Sequence, residues 1–158
     1  MRREGSKSEF GEQRDRELYA AFRRILVQAE GIPLAEMFGM AAKCAASRFW
    51  VGEHRATDVI SVMLRGGDIS GMYPEKQRMY REILRRVREM RKERSDAALY
   101  HLVFEAVNQP APEFYLTAKT VKVLVYQWRR KMIMRRRAAD LIARKKRGGK
   151  AGEEVSNG

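Results

Sequence analysis

The stretch PAPEFYLT at residues 110–117 has a counterpart 65 residues earlier, AASRFWVG at residues 45–52. Each stretch places Phe, a second aromatic residue and an aliphatic residue directly before a segment whose apolar residues have helical spacing. Few residues are identical, but the apolar positions coincide. We therefore interpret the two stretches as one structural joint that the chain contains twice.

The match extends well beyond the two stretches. Residues 34–65 align with residues 99–130 at a constant offset of 65, with apolar residues at corresponding positions. Upstream, an offset of 61 aligns Phe22 with Ile83. We therefore expect copy two to carry four additional residues, about one helical turn, between its first and second segments. Two such copies indicate a duplicated unit rather than a solenoid.

Each copy divides into three segments with the periodicity of amphipathic helices. Thr117 is a favourable N-cap for the third segment of copy two, whereas copy one has Gly52 there, a weaker cap. The prolines of PAPEFYLT should end the preceding helix. Phe114 and Tyr115 should then enter the core where the chain turns.

The predicted fold class is all-α, with two related three-helix units packed together or in tandem and a basic C-terminal helical extension. The ordered turn before each third helix resembles the general architecture of helix-turn-helix units, as in tandem three-helix DNA-binding modules. The predicted segments are a flexible polar N-terminus (1–16), copy one (17–65), a linker (66–74), copy two (75–130), the basic helical extension (131–147) and a disordered tail (148–158).

The chain has a large excess of positive charge. Lys and Arg number 33 against 20 Asp and Glu, which gives a net charge of +13. Residues 79–158 hold 20 of these basic residues and 9 of the acidic ones, so copy two and the tail carry most of the excess. Such an excess favours a polyanionic partner, most often nucleic acid and less often an acidic membrane or protein.

The third helix of copy two carries the strongest candidate binding residues. The face opposite its apolar stripe presents cationic and hydrogen-bonding side chains, whereas the matching face of copy one is nearly neutral and includes Asp58. Lys and Arg contact phosphates, Gln reads base edges, and Tyr can do either or stack. The predicted nucleic-acid-binding residues of this face are Lys119, Lys122, Tyr126, Gln127 and Arg130.

Two further basic groups complete the candidate site. One follows the first helix of copy two at i, i+4, i+7 and i+11, and is either a phosphate track or an ordinary solvated face. The other lies in the extension, which could clamp a nucleic-acid backbone, serve as an address signal or lie on an anionic membrane. The groups are Arg81, Arg85, Arg88 and Lys92, and Arg135, Arg136 and Arg137. The apolar residues of the extension need burial, either in a homodimer or other protein partner or against copy one.

Other classes of function find little support in the sequence. Cys44 is the single cysteine, so no internal disulfide can form, and a reducing, cytoplasmic location is expected. No apolar run approaches the roughly 20 residues that cross a bilayer. His54 and His101 belong to no Cys/His cluster with metal-ligand spacing. We therefore expect no metal, no cofactor and no catalytic residue.

The leading prediction is a non-enzymatic DNA-binding protein. The third helix of copy two would lie in or near a major groove, with the basic extension on phosphates. By analogy with short basic proteins of phages and mobile elements, it would be a regulator or an accessory protein. The alternatives are an RNA-binding protein that uses the same basic faces, and a protein-interaction adaptor whose basic surface is only solvated.

Overall fold

The computed structural model describes the backbone of residues 4–156 and the side chains of residues 10–149. This part of the chain is folded into six α-helices and contains no strand, which confirms the predicted all-α class. The helices are α1 (Glu4–Gln28), α2 (Leu34–Ala42), α3 (Glu53–Leu64), α4 (Pro74–Glu93), α5 (Leu99–Val107) and α6 (Ala118–Ser156).

The helix boundaries repeat with the offset that the sequence predicted. α2 and α5 begin at Leu34 and Leu99, each after one residue in extended conformation, and each is nine residues long. α3 and α6 begin at Glu53 and Ala118, again 65 residues apart. The duplication is therefore visible in the backbone as well as in the apolar pattern.

The predicted four-residue insertion in copy two is wrong. α1 ends at Gln28 and α4 ends at Glu93, so the first helices keep the same offset of 65 as the others. Four residues turn an α-helix by about 400°, which displaces its apolar stripe by only about 40°. The apolar pattern alone is therefore compatible with an offset of 61 as well as with one of 65. In the structure Leu18 corresponds to Ile83, and both side chains are fully buried.

The two copies exchange their third helices. α6, from copy two, packs on α1 and α2, and α3, from copy one, packs on α4 and α5. Within the described residues, no Cα atom of α3 lies within 8 Å of one in α1 or α2, and the same holds for α6 with α4 and α5. The predicted division into two sequential three-helix units is therefore not confirmed. We call the observed assemblies group A (α1, α2 and α6) and group B (α3, α4 and α5).

The exchange depends on two connecting segments, residues 43–52 and 108–117, which cross between the groups. Ala46 and Ala111 are paired there, and each donates its N–H to the carbonyl of the other at 2.9 Å. A second reciprocal pair of backbone bonds, both 3.0 Å long, runs from Phe49 N–H to Val107 O and from Phe114 N–H to Ala42 O. Because these partners are related by the same offset of 65, the crossing has approximate two-fold symmetry.

Aromatic side chains fill the space around the crossing. Phe49 is fully buried and stacks on Tyr115, with ring centroids 5.9 Å apart. The guanidinium of Arg86 lies 4.8 Å from the Phe49 centroid. Phe114 and Tyr115 are buried, as the sequence predicted. Tyr115 has a φ of 56°, in the left-handed region that bulky residues seldom occupy, so its packing has to offset local strain.

Burial also gives Tyr115 a signature at alkaline pH. Desolvation, aided by the nearby carboxylates of Glu113 and Glu82, raises the pKa of its hydroxyl to about 12 from an ordinary value of 10.0. The folded pKa exceeds the unfolded one, so the neutral hydroxyl stabilises the fold below about pH 10, and this stability is lost as pH rises through 12.

The free energy of unfolding of the Tyr115→Phe variant should therefore fall less than that of the wild type between about pH 10 and pH 12. The difference should reach at most about 2.7 kcal/mol, because one pKa unit corresponds to about 1.36 kcal/mol. Urea unfolding at several alkaline pH values would measure it. Equal losses of unfolding free energy in the two proteins would contradict the prediction.

The N-terminal segment differs from its prediction. α1 begins at Glu4, inside the segment that the sequence marked as flexible. Phe10 packs edge-on against Trp50, with ring centroids 5.1 Å apart, and the guanidinium of Arg48 lies 4.9 Å from the Phe10 centroid. The Glu17 carboxylate accepts hydrogen bonds from the backbone N–H and the hydroxyl of Ser47. These contacts join the start of α1 to the crossing segment.

The C-terminal segment differs as well. α6 continues to Ser156, past Gly148 and Gly149, where the sequence prediction ended it. Each glycine weakens a helix by about 1 kcal/mol relative to Ala, but a helix can continue through both. Residues 1–3 and 157–158 of the predicted terminal segments lie outside the described residues.

A tight turn joins copy one to copy two. Gly66 has a φ of 83°. Gly67 lies so close to α3 that a Cβ atom there would come within 2.8 Å of the Val62 carbonyl oxygen. The linker, residues 65–73, then leads to Pro74 at the start of α4. Glycine is therefore required at this turn for both its backbone conformation and its lack of a side chain.

Candidate nucleic-acid interface

Thr117 starts α6 in the way the sequence predicted. Its hydroxyl oxygen accepts a hydrogen bond from the backbone N–H of Thr120 at 3.1 Å, which is N-cap geometry. The matching helix α3 follows Gly52 and has no side-chain cap. The cap fixes where α6 begins and therefore which side chains its solvent face presents.

Three residues of the predicted α6 face come together beside α2. Lys119 and Lys122 are exposed and line a groove whose other wall includes Leu34 and Phe38. Tyr126 lines the same groove, is 45% exposed, and meets the Phe38 ring edge-on with centroids 6.1 Å apart. The face is therefore partly concave, with an aromatic floor between the two lysines and α2.

Gln127 and Arg130, the other two residues of this face, are also exposed on α6. Among the described side chains, Lys119, Lys122 and Arg130 form no ion pair with a carboxylate. A phosphate that binds these three cations would therefore not have to compete with a carboxylate of the described residues.

The matching face of α3 in group B has a different character. His54 replaces the first lysine, and its ring lies 5.2 Å from that of Tyr100 on α5. Arg65 is the counterpart of Arg130, and its Nε donates to the Ser61 carbonyl at 3.3 Å. The backbones of the two groups are thus related by symmetry, but their surface charges differ.

The predicted stripe on α4 is exposed, but most of it is paired within its own helix. Three of the four cations have a side-chain partner there: Arg81 donates to Gln77 at 3.1 Å, Arg85 pairs with Glu82 at 2.7 Å, and Lys92 pairs with Glu89 at 3.1 Å. Such close pairs along one helix are typical of a solvated charged face. Arg88 has no such partner among the described side chains.

The α6 face and the α4 stripe lie in different helix groups. In the part of the chain that the structure describes, no Cα atom of α4 lies within 8 Å of one in α6. The structure therefore brings together the predicted residues of α6 but does not join them to the α4 stripe through helix packing.

The middle of α6 has the highest density of positive charge on this helix. Residues 129–147 include ten Lys or Arg and one acidic residue, Asp140, and all ten basic side chains are exposed. The predicted residues Arg136 and Arg137 form no ion pair among the described side chains. Only four of these ten were predicted to bind nucleic acid: Arg130, Arg135, Arg136 and Arg137. The others, including Arg129 and Lys131, could have been included on density alone.

Glu12 of α1 neutralises part of this charge. Its carboxylate lies 3.3 Å from Lys131 Nζ and 2.9 Å from Arg135 Nη1. Hydrogen bonds from Arg135 and then Lys131 hold the pKa of Glu12 below its usual range. This contact was not predicted, because Glu12 lies in the segment that was expected to be flexible.

Glu12→Gln should strengthen DNA binding if α6 contacts phosphates, because Lys131 and Arg135 would no longer be paired with a carboxylate. We expect affinity to increase about two- to fivefold at low salt, in line with the small worth of an exposed ion pair. Fluorescence anisotropy with a labelled duplex would measure the change. Glu30→Gln removes the same charge from the loop after α1 and serves as the control, and an equal effect of both changes would contradict a local role for Glu12.

The described residues offer no evident metal site or membrane span. No group of three or more His, Cys, Asp or Glu side chains among them is placed to hold a metal ion. None of the helices within residues 4–156 is both long and apolar enough to cross a membrane. In comparisons with protein-family models, curated proteins and solved structures, the chain matches none of them.

Proposed function

We propose that this chain is a non-enzymatic, cytoplasmic DNA-binding protein that uses α6 as its main binding element. The observation that carries the proposal is the exposed positive charge of residues 129–147, on the same helix as Lys119 and Lys122. Within the described residues, only Lys131 and Arg135 of those ten cations are paired with an acidic side chain.

The geometry of α6 suits a long nucleic acid. Its 39 residues extend over about 58 Å at 1.5 Å per residue. Its first part packs on α1 and α2 through buried residues such as Val121, Val125 and Trp128. The part of α6 before residue 129 can then lie near a major groove, which accepts an α-helix, while residues 129–147 contact phosphates.

The α4 stripe has a secondary role in this proposal. A phosphate that binds Arg85 or Lys92 has to compete with Glu82 or Glu89, respectively. A phosphate that binds Arg136 or Arg137 displaces only water and counterions in the described surroundings. The α6 cations should therefore contribute more to affinity than the α4 stripe.

Duplex binding measured over a series of salt concentrations tests the proposal. The logarithm of affinity should fall steeply and linearly with the logarithm of salt concentration, with a slope of about −0.9 per phosphate contacted. Absence of binding at low salt would overturn it. A structured RNA competitor separates the RNA-binding alternative, which predicts that RNA displaces the duplex more effectively than unlabelled DNA does.

A further inference from the structure

A groove between α1, α2 and α6 is built differently from the rest of the basic surface. It has two adjoining parts, of about 310 and 490 Å³, which share Leu34, Phe38 and Tyr126 in their walls. Phe22 and Phe38 form the floor, where they are buried and stacked with centroids 5.2 Å apart. The groove therefore has a buried aromatic base inside group A.

The rim of the groove leaves large apolar side chains in contact with water. Leu26 is 43% exposed, Leu34 is 46% exposed and Tyr126 is 45% exposed. These side chains surround one concave site rather than being scattered singly, which is the arrangement of a groove that binds the apolar side chains of a partner helix. Contacts to phosphates would not cover these leucines, so DNA binding does not account for their exposure.

Charge around the groove selects the kind of partner. Arg23 and Arg129 line one part, and Lys119 and Lys122 line the other, whereas no Asp or Glu among the described side chains lines either part. Because a second copy of this chain carries the same net charge of +13, self-association through this basic site is disfavoured. Acidic residues of a different protein would complement all four cations.

The dimensions of the groove favour a helix as the occupant. It follows α6 from Ala118 to Arg129, which is about 16 Å at 1.5 Å per residue. A helix of about eleven residues has the same length, and an amphipathic helix can insert apolar residues at i, i+3, i+4 and i+7 into such a groove. We propose that this groove binds an acidic amphipathic helix of a partner protein.

This inference does not rest on DNA binding, although the two surfaces overlap. Lys119, Lys122, Tyr126 and Arg129 belong to both, whereas Leu26 and Leu34 belong only to the groove. A bound partner helix would cover the shared residues and compete with nucleic acid for the part of α6 before residue 130. Residues 130–147 of α6 would stay accessible.

The test uses the full chain and three synthetic peptides. The probe is a helical peptide of about twelve residues with Leu at i, i+3, i+4 and i+7 and Glu on both flanks. The first control peptide has Lys in place of Glu, and the second has the same composition in an order that forms no apolar stripe. Titrations followed by backbone amide NMR locate and quantify binding.

We expect only the acidic amphipathic peptide to bind with shifts centred on the groove. Leu26→Ser and Tyr126→Ala should each weaken that binding about tenfold, as central apolar and aromatic contacts do. Phe104→Ser, at a side chain that is 46% exposed on α5, is the matched control and should leave it unchanged. Leu26→Ser should also leave duplex binding unchanged, so failure of either proposal can be recognised separately.

Three outcomes would overturn the inference. One is the absence of binding by the acidic amphipathic peptide up to millimolar concentration. Another is equal binding of both Glu-containing peptides, which would indicate charge attraction alone. The third is a set of amide shifts confined to residues 130–147, which would place the contact on the basic extension instead of the groove.

Discussion

Phe49→Ala should destabilise the protein by about 4 kcal/mol, the typical cost of removing a buried Phe side chain. Phe49 has no exposed surface, and its ring contacts Tyr115 and Arg86. Its loss would leave a cavity at the crossing of the two connecting segments. The cavity would disturb both connecting segments, because Phe49 lies in one of them and its stacking partner Tyr115 lies in the other.

Equilibrium unfolding in urea would measure this change, with circular dichroism as the readout. Phe104→Ala is the matched control because Phe104 is 46% exposed, and its effect should stay within about 0.5 kcal/mol. Phe114→Ala removes the symmetry-related side chain, which is 4% exposed, and should cost nearly as much as Phe49→Ala. If Phe49→Ala and Phe104→Ala had similar small effects, the crossing would not be the centre of the fold.

The triple change of Lys119, Lys122 and Arg130 to Ala should weaken duplex binding on the order of 100-fold at low salt. Each side chain is exposed and has no carboxylate partner among the described residues. Removing three phosphate contacts should also reduce the steepness of the salt dependence by about three units of slope. Anisotropy titrations at four or more salt concentrations would give both quantities.

The duplication supplies a control that has the same positions in the other helix group. His54 and Thr57 of α3, with Arg65 directly after it, correspond to the three changed residues at the offset of 65. Their joint replacement by Ala should reduce affinity much less, because only Arg65 carries a full positive charge. Equal losses in the two triple variants would contradict a binding role for this face of α6, because the α6 variant removes three Lys or Arg side chains and the control removes one.

Much of the fold could be predicted from the sequence where local chemistry decides it. The starts of α3 and α6 follow from Gly52 and Thr117, because a helix begins where a cap residue precedes an apolar period. The burial of Phe114 and Tyr115 followed from bulky apolar residues beside a turn. These features depend on short stretches of chain and need no knowledge of which helices meet.

The exchange of third helices could not be predicted in the same way. The two copies have related sequences, so α1 and α2 offer apolar faces similar to those of α4 and α5. The apolar face of α3 could therefore pack on either pair. Which partner it contacts depends on the path of residues 43–52, and that path is fixed by hydrogen bonds to the other copy. The apolar pattern predicts that each helix buries one face, but it does not predict which helix that face contacts.

The charged contacts on the surface could also be predicted only in part. Lys and Arg positions on α4 and α6 could be read directly, and all the predicted binding residues are exposed. The pairing of Arg85 with Glu82 follows from their spacing on one helix. The pairing of Glu12 with Lys131 and Arg135 joins residues more than a hundred positions apart, so only the packing of α1 on α6 reveals it.

The linker at residues 65–73 has little to do with what holds the two copies together. Each group already contains helices from both copies, and the crossing adds four reciprocal backbone hydrogen bonds between them. The linker instead sets the effective concentration at which the copies meet, which for a short tether is in the millimolar range. A chain opened there would become a two-subunit heterodimer with the same interior, stable only above its own dissociation constant. Neither fragment would contain a complete helix group alone.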